Sequence, residues 1–151
     1  MKKLLLLPLL VCLFSIDLYA QVEYKVVTVV ESIVPGGAGR SRIIEATDQA
    51  DSEAATTART DGKKSDMSNV KRGDLKVDQF EETKLLNFFS LGGINFQNIA
   101  SNDALVTDKI NKLAEEGWEL AFVTSGVESN SGEKDGEGIF VTRLVFKRMK
   151  G

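Results

Sequence analysis

The chain has 151 residues, a formal net charge of −3 at pH 7, no histidine and a single cysteine, Cys12. Without an imidazole or a second thiol, it lacks the residues for a His/Cys zinc set, a histidine general base or a Cys–His nucleophile pair. A mildly acidic chain without a basic stripe also argues against nucleic acid as a partner. We therefore predict one domain with no metal site, no cofactor and no catalytic residue.

The first 20 residues have the order of a secretory signal peptide. Lys2 and Lys3 are basic, Leu4–Phe14 is apolar, and the small residue Ala20 precedes the predicted cleavage point. The apolar run is shorter than the roughly 20 residues that span a bilayer, and Cys12 lies inside it rather than after it, unlike an acylated cysteine. We predict export to the periplasm or the medium with no stable membrane anchor; a buried N-terminal helix is the alternative.

The remainder, residues 21–151, begins with a strand and a hairpin. Val22–Val34 is rich in valine and isoleucine on both faces, which is typical of a long strand. Pro35–Gly39 is a turn signal, and Arg40–Ile44 is expected to return as the second arm. Residues from about 46 to 75 have no aromatic side chain and few apolar ones, so we predict a flexible, disordered polar insertion there.

The segment after the insertion leaves two alternatives open. Asp78–Glu81 resembles a capping box and predicts a helix through Leu86. Leu85–Leu91 suits a strand as well as a helix, and Gly92-Gly93 ends either element.

The next helix is defined by a single apolar stripe, with N-cap candidates at residues 101–103. Gly117 is a natural C′ residue, which places Trp118 at C″ against Leu113 at C3, the contact of a Schellman ending. The stripe consists of Val106, Ile110, Leu113 and Ala114.

Two strands close the chain. Trp118–Ser125 alternates, and Trp118, Leu120 and Phe122 are expected to point inward. Residues 128–138 form a polar loop, and Ile139–Lys147 then carries apolar residues on both faces, which implies cover on both sides. The cover is the hairpin, the 85–99 segment or a second subunit. One face carries Phe140, Leu144 and Phe146, and the opposite face carries Ile139, Val141 and Val145, which we predict as an interface.

Three stretches in this order resemble a small bacterial domain-of-unknown-function family, numbered 4177. They are Tyr24-Lys25-Val26-Val27, Leu113-Ala114-Glu115-Glu116-Gly117-Trp118-Glu119-Leu120 and Val145-Phe146-Lys147-Arg148. The resemblance implies a short α+β domain and no activity. The signal peptide and the long stretch between Glu31 and Asp103 depart from the family. Gly93-Ile94-Asn95-Phe96 and Ser125-Gly126-Val127-Glu128-Ser129 resemble segments of uncharacterised exported proteins of Bacteroidetes-type bacteria.

Few residues suggest ligand chemistry. Residues 36–41 contain three glycines and end in Arg-Ser, but the spacing of a phosphate loop fails, so a hairpin turn with exposed Arg40 and Arg42 is expected. These two arginines, with Arg143, are the candidates for binding a carboxylate or phosphate. The acidic residues around Trp118 are explained by packing and capping rather than by a carbohydrate site. Residues 128–137 are rich in oxygen ligands but do not match an EF-hand loop.

We therefore expect an α+β fold: a twisted, mostly antiparallel sheet packed on one main amphipathic helix, with a flexible polar insertion. The expected function is that of an exported, non-catalytic binding or assembly module whose partner is another protein or a second copy of the chain. The alternative is a protein that binds a small anionic ligand through Arg40, Arg42 or Arg143, or a carboxylate-based enzyme.

Overall fold

The computed structural model describes residues 21–34, 40–90, 92–128 and 138–150. The predicted signal peptide with Cys12, the 35–39 turn and most of the 128–138 loop lie outside the described residues. Within the described ranges, the predicted α+β class is confirmed, with one long helix packed on a five-stranded antiparallel sheet. The elements are β1 (Val22–Ser32), β2 (Arg42–Ala46), β3 (Phe80–Lys84), β4 (Phe89–Ser90), β5 (Gly93–Ile94), α1 (Phe96–Glu115), β6 (Glu119–Val127) and β7 (Ile139–Met149).

The main sheet has the strand order β3-β2-β1-β7-β6. Its centre is the antiparallel pair of β1 and β7, whose register runs from Val22 opposite Met149 to Ser32 opposite Ile139. The predicted hairpin is present, because β2 pairs antiparallel with β1. The β4–β5 pair forms a separate small ribbon just before α1.

The segment between β2 and β3 contains three short 3₁₀ turns, Glu53–Ala55, Asp66–Asn69 and Arg72–Leu75. No residue from 47 to 79 is buried. A polar segment without large apolar side chains contributes little to a core. The predicted flexibility of residues 46–75 stays a prediction.

Two expectations for the middle of the chain were wrong. Residues 80–84 form β3 rather than a helix, because the edge of β2 offers backbone partners and Thr83 pairs opposite Ile43. The helix begins at Phe96 rather than after residues 101–103, because the side chain of Asn95 caps it by accepting from the backbone N–H of Asn98 at 3.2 Å.

The C-terminal end of α1 is a Schellman motif. Gly117 has φ 85°, in the left-handed region, and its N–H donates to the carbonyl of Ala114 at 3.0 Å. The N–H of Trp118 donates to the carbonyl of Leu113 at 2.9 Å, and both side chains belong to the core. The motif turns the chain directly from the helix into β6.

The core lies between α1 and one face of the sheet. Phe146 and Leu113 are each about 1% exposed, and half-buried Val106 and Ile110 of α1 pack against the same cluster. Burial of this apolar surface supplies the main driving force for packing the helix on the sheet. The buried apolar residues are Val27, Val29, Ile43, Leu85, Leu113, Trp118, Leu144 and Phe146.

A β-bulge changes the direction of side chains in β6. The register with β7 shifts between Leu120 and Phe122, so Leu120 faces the helix side and Phe122 faces the opposite side. The expected inward position of Phe122 was therefore wrong, and its side chain is 61% exposed.

Candidate functional site

The side of the sheet away from α1 carries an apolar surface that the described elements leave uncovered. We call it the open face and define it by Tyr24, Val26, Val30, Ile44, Phe122, Ile139, Val141 and Val145. These residues share one side because paired residues in neighbouring strands point the same way. All eight are exposed or half-buried, and Tyr24 is 66% exposed.

The open face contains the three residues that the sequence predicted as an interface. Val141 lies opposite Val30, and Val145 lies opposite Val26 on one side and Phe122 on the other. The β1–β2 hairpin widens the same sheet and does not fold over this side. Of the three covers expected from the sequence, the hairpin is therefore ruled out for the described residues.

The three candidate arginines are not gathered around one cavity. Arg42 lies opposite Val30, and Arg143 lies opposite Thr28, two strands away and two residues further along. Strand spacings put their Cα atoms about 12 Å apart. Arg42 forms an ion pair with Glu82, and the cavity that it lines with Ser41, Glu82 and Lys84 includes neither Arg40 nor Arg143.

A charged cluster lies on the helix side of the sheet. Glu45 is 6% exposed and pairs with Lys25 of β1 at 2.6 Å and with Lys109 of α1. Burial alone would raise the pKa of Glu45, but hydrogen bonds and attraction from both lysines lower it below the ordinary value. The cluster therefore ties β1, β2 and the helix together through one ionised carboxylate.

Lys25 and Arg148 both lie over the indole ring of Trp118. The Lys25 Nζ is 5.0 Å from the ring centroid, and the Arg148 Cζ is 4.3 Å from it. Arg148 also pairs with Glu23 and donates to the backbone carbonyl of Glu116 at 3.3 Å. Cations at these distances are attracted to the face of the ring, so this arrangement fixes the helix–strand junction and is structural.

A cavity of about 670 Å³ opens at the other end of the helix side of the sheet. Its walls come from β1, β6, β7, the start of α1 and the segment that precedes α1. Glu31 contributes the one ionisable side chain among the described lining residues. The lining residues are Glu31, Ile33, Phe88, Ile94, Ile99, Ser125, Gly126, Val127, Phe140 and Thr142.

Glu31 is held at the wall of this cavity by Asn102, which is fully buried. The Asn102 side chain accepts from the N–H of Leu86 and donates to the carbonyl of Leu86, both at 2.8 Å. The same amide donates to Glu31 Oε1 at 3.3 Å. Burial raises the pKa of Glu31, the nearby charge of Asp103 raises it further, and the hydrogen bond from Asn102 opposes both.

None of the described helices is both long and apolar enough to cross a membrane. Among the described residues, no group of three or more Asp, Glu, His or Cys side chains has the arrangement of a metal site.

No protein-family model matches the chain, and neither a curated protein nor a solved structure matches it. The resemblance to the family numbered 4177 therefore stays a prediction.

Proposed function

We propose that this protein is an exported, non-catalytic assembly module that pairs with a second copy of itself through the open face. The observation that carries the proposal is the position of α1. One face of the sheet packs on the helix and is buried, whereas the other face carries apolar side chains that no described element covers. A contiguous exposed apolar surface on a small domain is characteristic of an interaction site.

A second copy fits the size and form of this surface. The five strands have between five and eleven residues each, and at about 3.3 Å per residue and 4.8 Å between strands their combined area is about 650 Å² per partner. A stable dimer buries about 800 Å² per partner. Two such faces would stack as a β-sandwich, and a two-fold axis would bring the same patch of each copy together.

Arg143 restricts where this two-fold axis passes. Arg143 is exposed in β7 between Val141 and Val145, so it lies within the apolar surface. An axis through Arg143 would place two guanidinium groups against each other. We therefore place the axis away from Arg143, so that the two guanidinium groups do not face each other.

A matched pair of variants tests the proposal. Val26 and Val123 are strand valines with nearly equal exposures of 46% and 48%, but Val26 lies on the open face and Val123 lies on the helix side. Sedimentation velocity of the chain from Gln21 should show a dimer that Val26→Lys converts to a monomer and that Val123→Lys leaves intact. Val141→Lys and Val145→Lys should act like Val26→Lys. Trp118 fluorescence checks that every variant stays folded.

A wild-type chain that is monomeric at every concentration would overturn the dimer. In that case a pull-down from the envelope and medium of the source organism becomes decisive. Reproducible capture of one protein, lost in Val26→Lys and kept in Val123→Lys, would assign the open face to a different partner. Export is tested separately: the intact mass of the protein from the periplasm or medium should correspond to residues 21–151, with or without the loss of ammonia from a cyclised Gln21.

The alternative, an anionic ligand bound by arginines or a carboxylate-based enzyme, has less support. Arg42 is ion-paired with Glu82, and about 12 Å of sheet separates it from Arg143. Among its described lining residues, the cavity beside Glu31 presents one carboxylate, with neither an arginine for an anion nor the second acid that a pair of catalytic carboxylates requires.

A further inference from the structure

We propose that the cavity beside Glu31 binds a small ligand that has an apolar body and one cationic amine. The volume of about 670 Å³ lies within the roughly 300–1,000 Å³ that is usual for small-molecule sites. Six of the lining side chains are aliphatic or aromatic, and they surround a single carboxyl group. Such a combination binds the body of a ligand by burial and orients it through one polar contact. The inference does not depend on the dimer, because the open face lies on the other side of the sheet.

The position of Glu31 is fixed by the fold. Glu31 lies in β1 opposite Phe140 of β7, so its backbone belongs to the central strand pair. Asn102 donates to this carboxylate, and its own side chain is held by hydrogen bonds to the backbone N–H and the backbone carbonyl of Leu86. A side chain held by a rigid neighbour loses little entropy when it binds a ligand.

Glu31 has no cationic partner among the described residues. The ion pairs in the described ranges involve other carboxylates, including the similarly placed Glu45, which has two lysines. When it is ionised, a carboxylate at an apolar wall with a single amide donor recovers only part of the free energy that it loses by leaving water. A ligand amine supplies the missing positive charge and a hydrogen-bond donor.

The charge around the cavity selects the class of ligand. Asp103 lies close enough to Glu31 to act on it, so an anionic ligand would meet two negative charges. A neutral apolar ligand would remove water from Glu31 without replacing its hydrogen bonds. An amine satisfies the carboxylate, and its hydrocarbon body fills the space between Ile94, Ile99 and Phe140.

Two probes of nearly the same shape test this assignment. 1-Naphthylmethylamine is cationic at neutral pH, and 1-naphthylmethanol is its neutral counterpart. Calorimetric titration at pH 7.5 should show that the amine binds about tenfold or more tightly than the alcohol. This ratio is what one additional hydrogen bond between charged groups contributes to an affinity. Glu31→Gln should remove this preference by weakening the binding of the amine, and it should not weaken the binding of the alcohol. The control Glu82→Gln removes a carboxylate on the other side of the sheet and should keep the preference.

Acidification provides a second readout. The affinity for the amine should fall as pH falls through the raised pKa of Glu31, because protonation removes the charge that binds the cation. The affinity for the alcohol should not follow this profile. Equal binding of the two probes to the wild type, binding of neither, or a preference that survives in Glu31→Gln would each overturn the proposal. Trp118 fluorescence confirms that Glu31→Gln is folded.

Discussion

Replacement of Gly117 by alanine isolates the backbone requirement of the helix–strand junction. Gly117 has φ +85°, and a Cβ added there would meet nothing within 4 Å. The substitution therefore introduces no steric clash with the rest of the molecule. It changes only the cost of holding an L-residue in the left-handed region.

The expected magnitude follows from two opposing effects. A non-glycine residue in the left-handed conformation costs about 1–2 kcal/mol. Alanine also lowers the entropy of the unfolded chain, which offsets a few tenths of this amount or more. We expect Gly117→Ala to lower the free energy of unfolding by about 1 kcal/mol, which corresponds to a drop of about 3–4 °C in Tm for a domain of this size. Asparagine tolerates the left-handed region better, so Gly117→Asn should lose less.

Urea unfolding followed by the fluorescence of Trp118 measures this loss. Trp118 is the only tryptophan of the chain, and its side chain is 7% exposed. The midpoint should fall by roughly 0.5 M with an unchanged slope. Gly126→Ala is the matched control: Gly126 also has open space for a Cβ but does not have a positive φ.

The control should be as stable as the wild type or slightly more stable. If Gly117→Ala were as stable as the wild type, or if both variants lost the same amount, the left-handed conformation would not be the source of the cost.

Three further changes address the buried polar groups. Glu45→Gln should lower stability at pH 7 by about 1–3 kcal/mol, because it removes the carboxylate that pairs with Lys25 and Lys109; Lys109 keeps a longer contact of 3.7 Å to Glu81, and both lysines still reach water. The pKa of Glu45 is lower in the folded protein than in the unfolded chain. The stability that ionised Glu45 contributes is therefore fully present above its unfolded-state pKa and is lost as pH falls through its folded-state pKa. Urea midpoints measured from pH 7 to pH 3 should fall less steeply in Glu45→Gln than in the wild type. Glu31→Gln should have the opposite effect, because the pKa of Glu31 is raised in the folded protein. The wild type loses stability as pH rises through this folded-state pKa and Glu31 becomes charged. The variant, which carries no charge at this position, should therefore be more stable than the wild type at neutral pH but not below the unfolded-state pKa of Glu31. Asn102→Ala should cost about 2 kcal/mol or more by urea unfolding, since it leaves the part-buried backbone N–H and carbonyl of Leu86 unpaired. A cost of less than about 0.5 kcal/mol would mean that water replaces the amide.

Features set by local periodicity could be predicted from the sequence. The alternation of β1 and β7 assigned their two faces, since side chains in a strand point to opposite sides in turn. The end of α1 could be located because Gly117 follows a helical stripe. Neither feature needs information from a distant part of the chain.

Features set by tertiary pairing could not be predicted. Every residue of β3 is exposed, so no apolar pattern distinguishes it from the helix start that Asp78–Glu81 suggested. The bulge beside Ala121 has no glycine or proline to signal it, and it reverses the side on which Phe122 lies.

The cavity was missed for a similar reason. Its lining residues come from segments far apart in the chain, so no local motif contains them. Two weak signals exist in the sequence: Glu31 interrupts an apolar strand, and Asn102 stands four residues before Val106, in line with the apolar stripe of α1. Only the fold shows that the two side chains meet.

The central pairing of β1 with β7 has a consequence for folding kinetics. Every residue pair in this ladder joins positions more than 100 residues apart, and the carbonyl of Gln21 accepts from the N–H of Lys150 at 2.7 Å. Contacts of such high sequence separation slow folding, because the loop must close before they form. β1 can complete its pairing only after β7 has been synthesised, so the central sheet cannot form in a partly synthesised chain. Under the export proposal, this delay keeps the polypeptide unfolded, as transport through a membrane channel requires, until it has crossed the membrane.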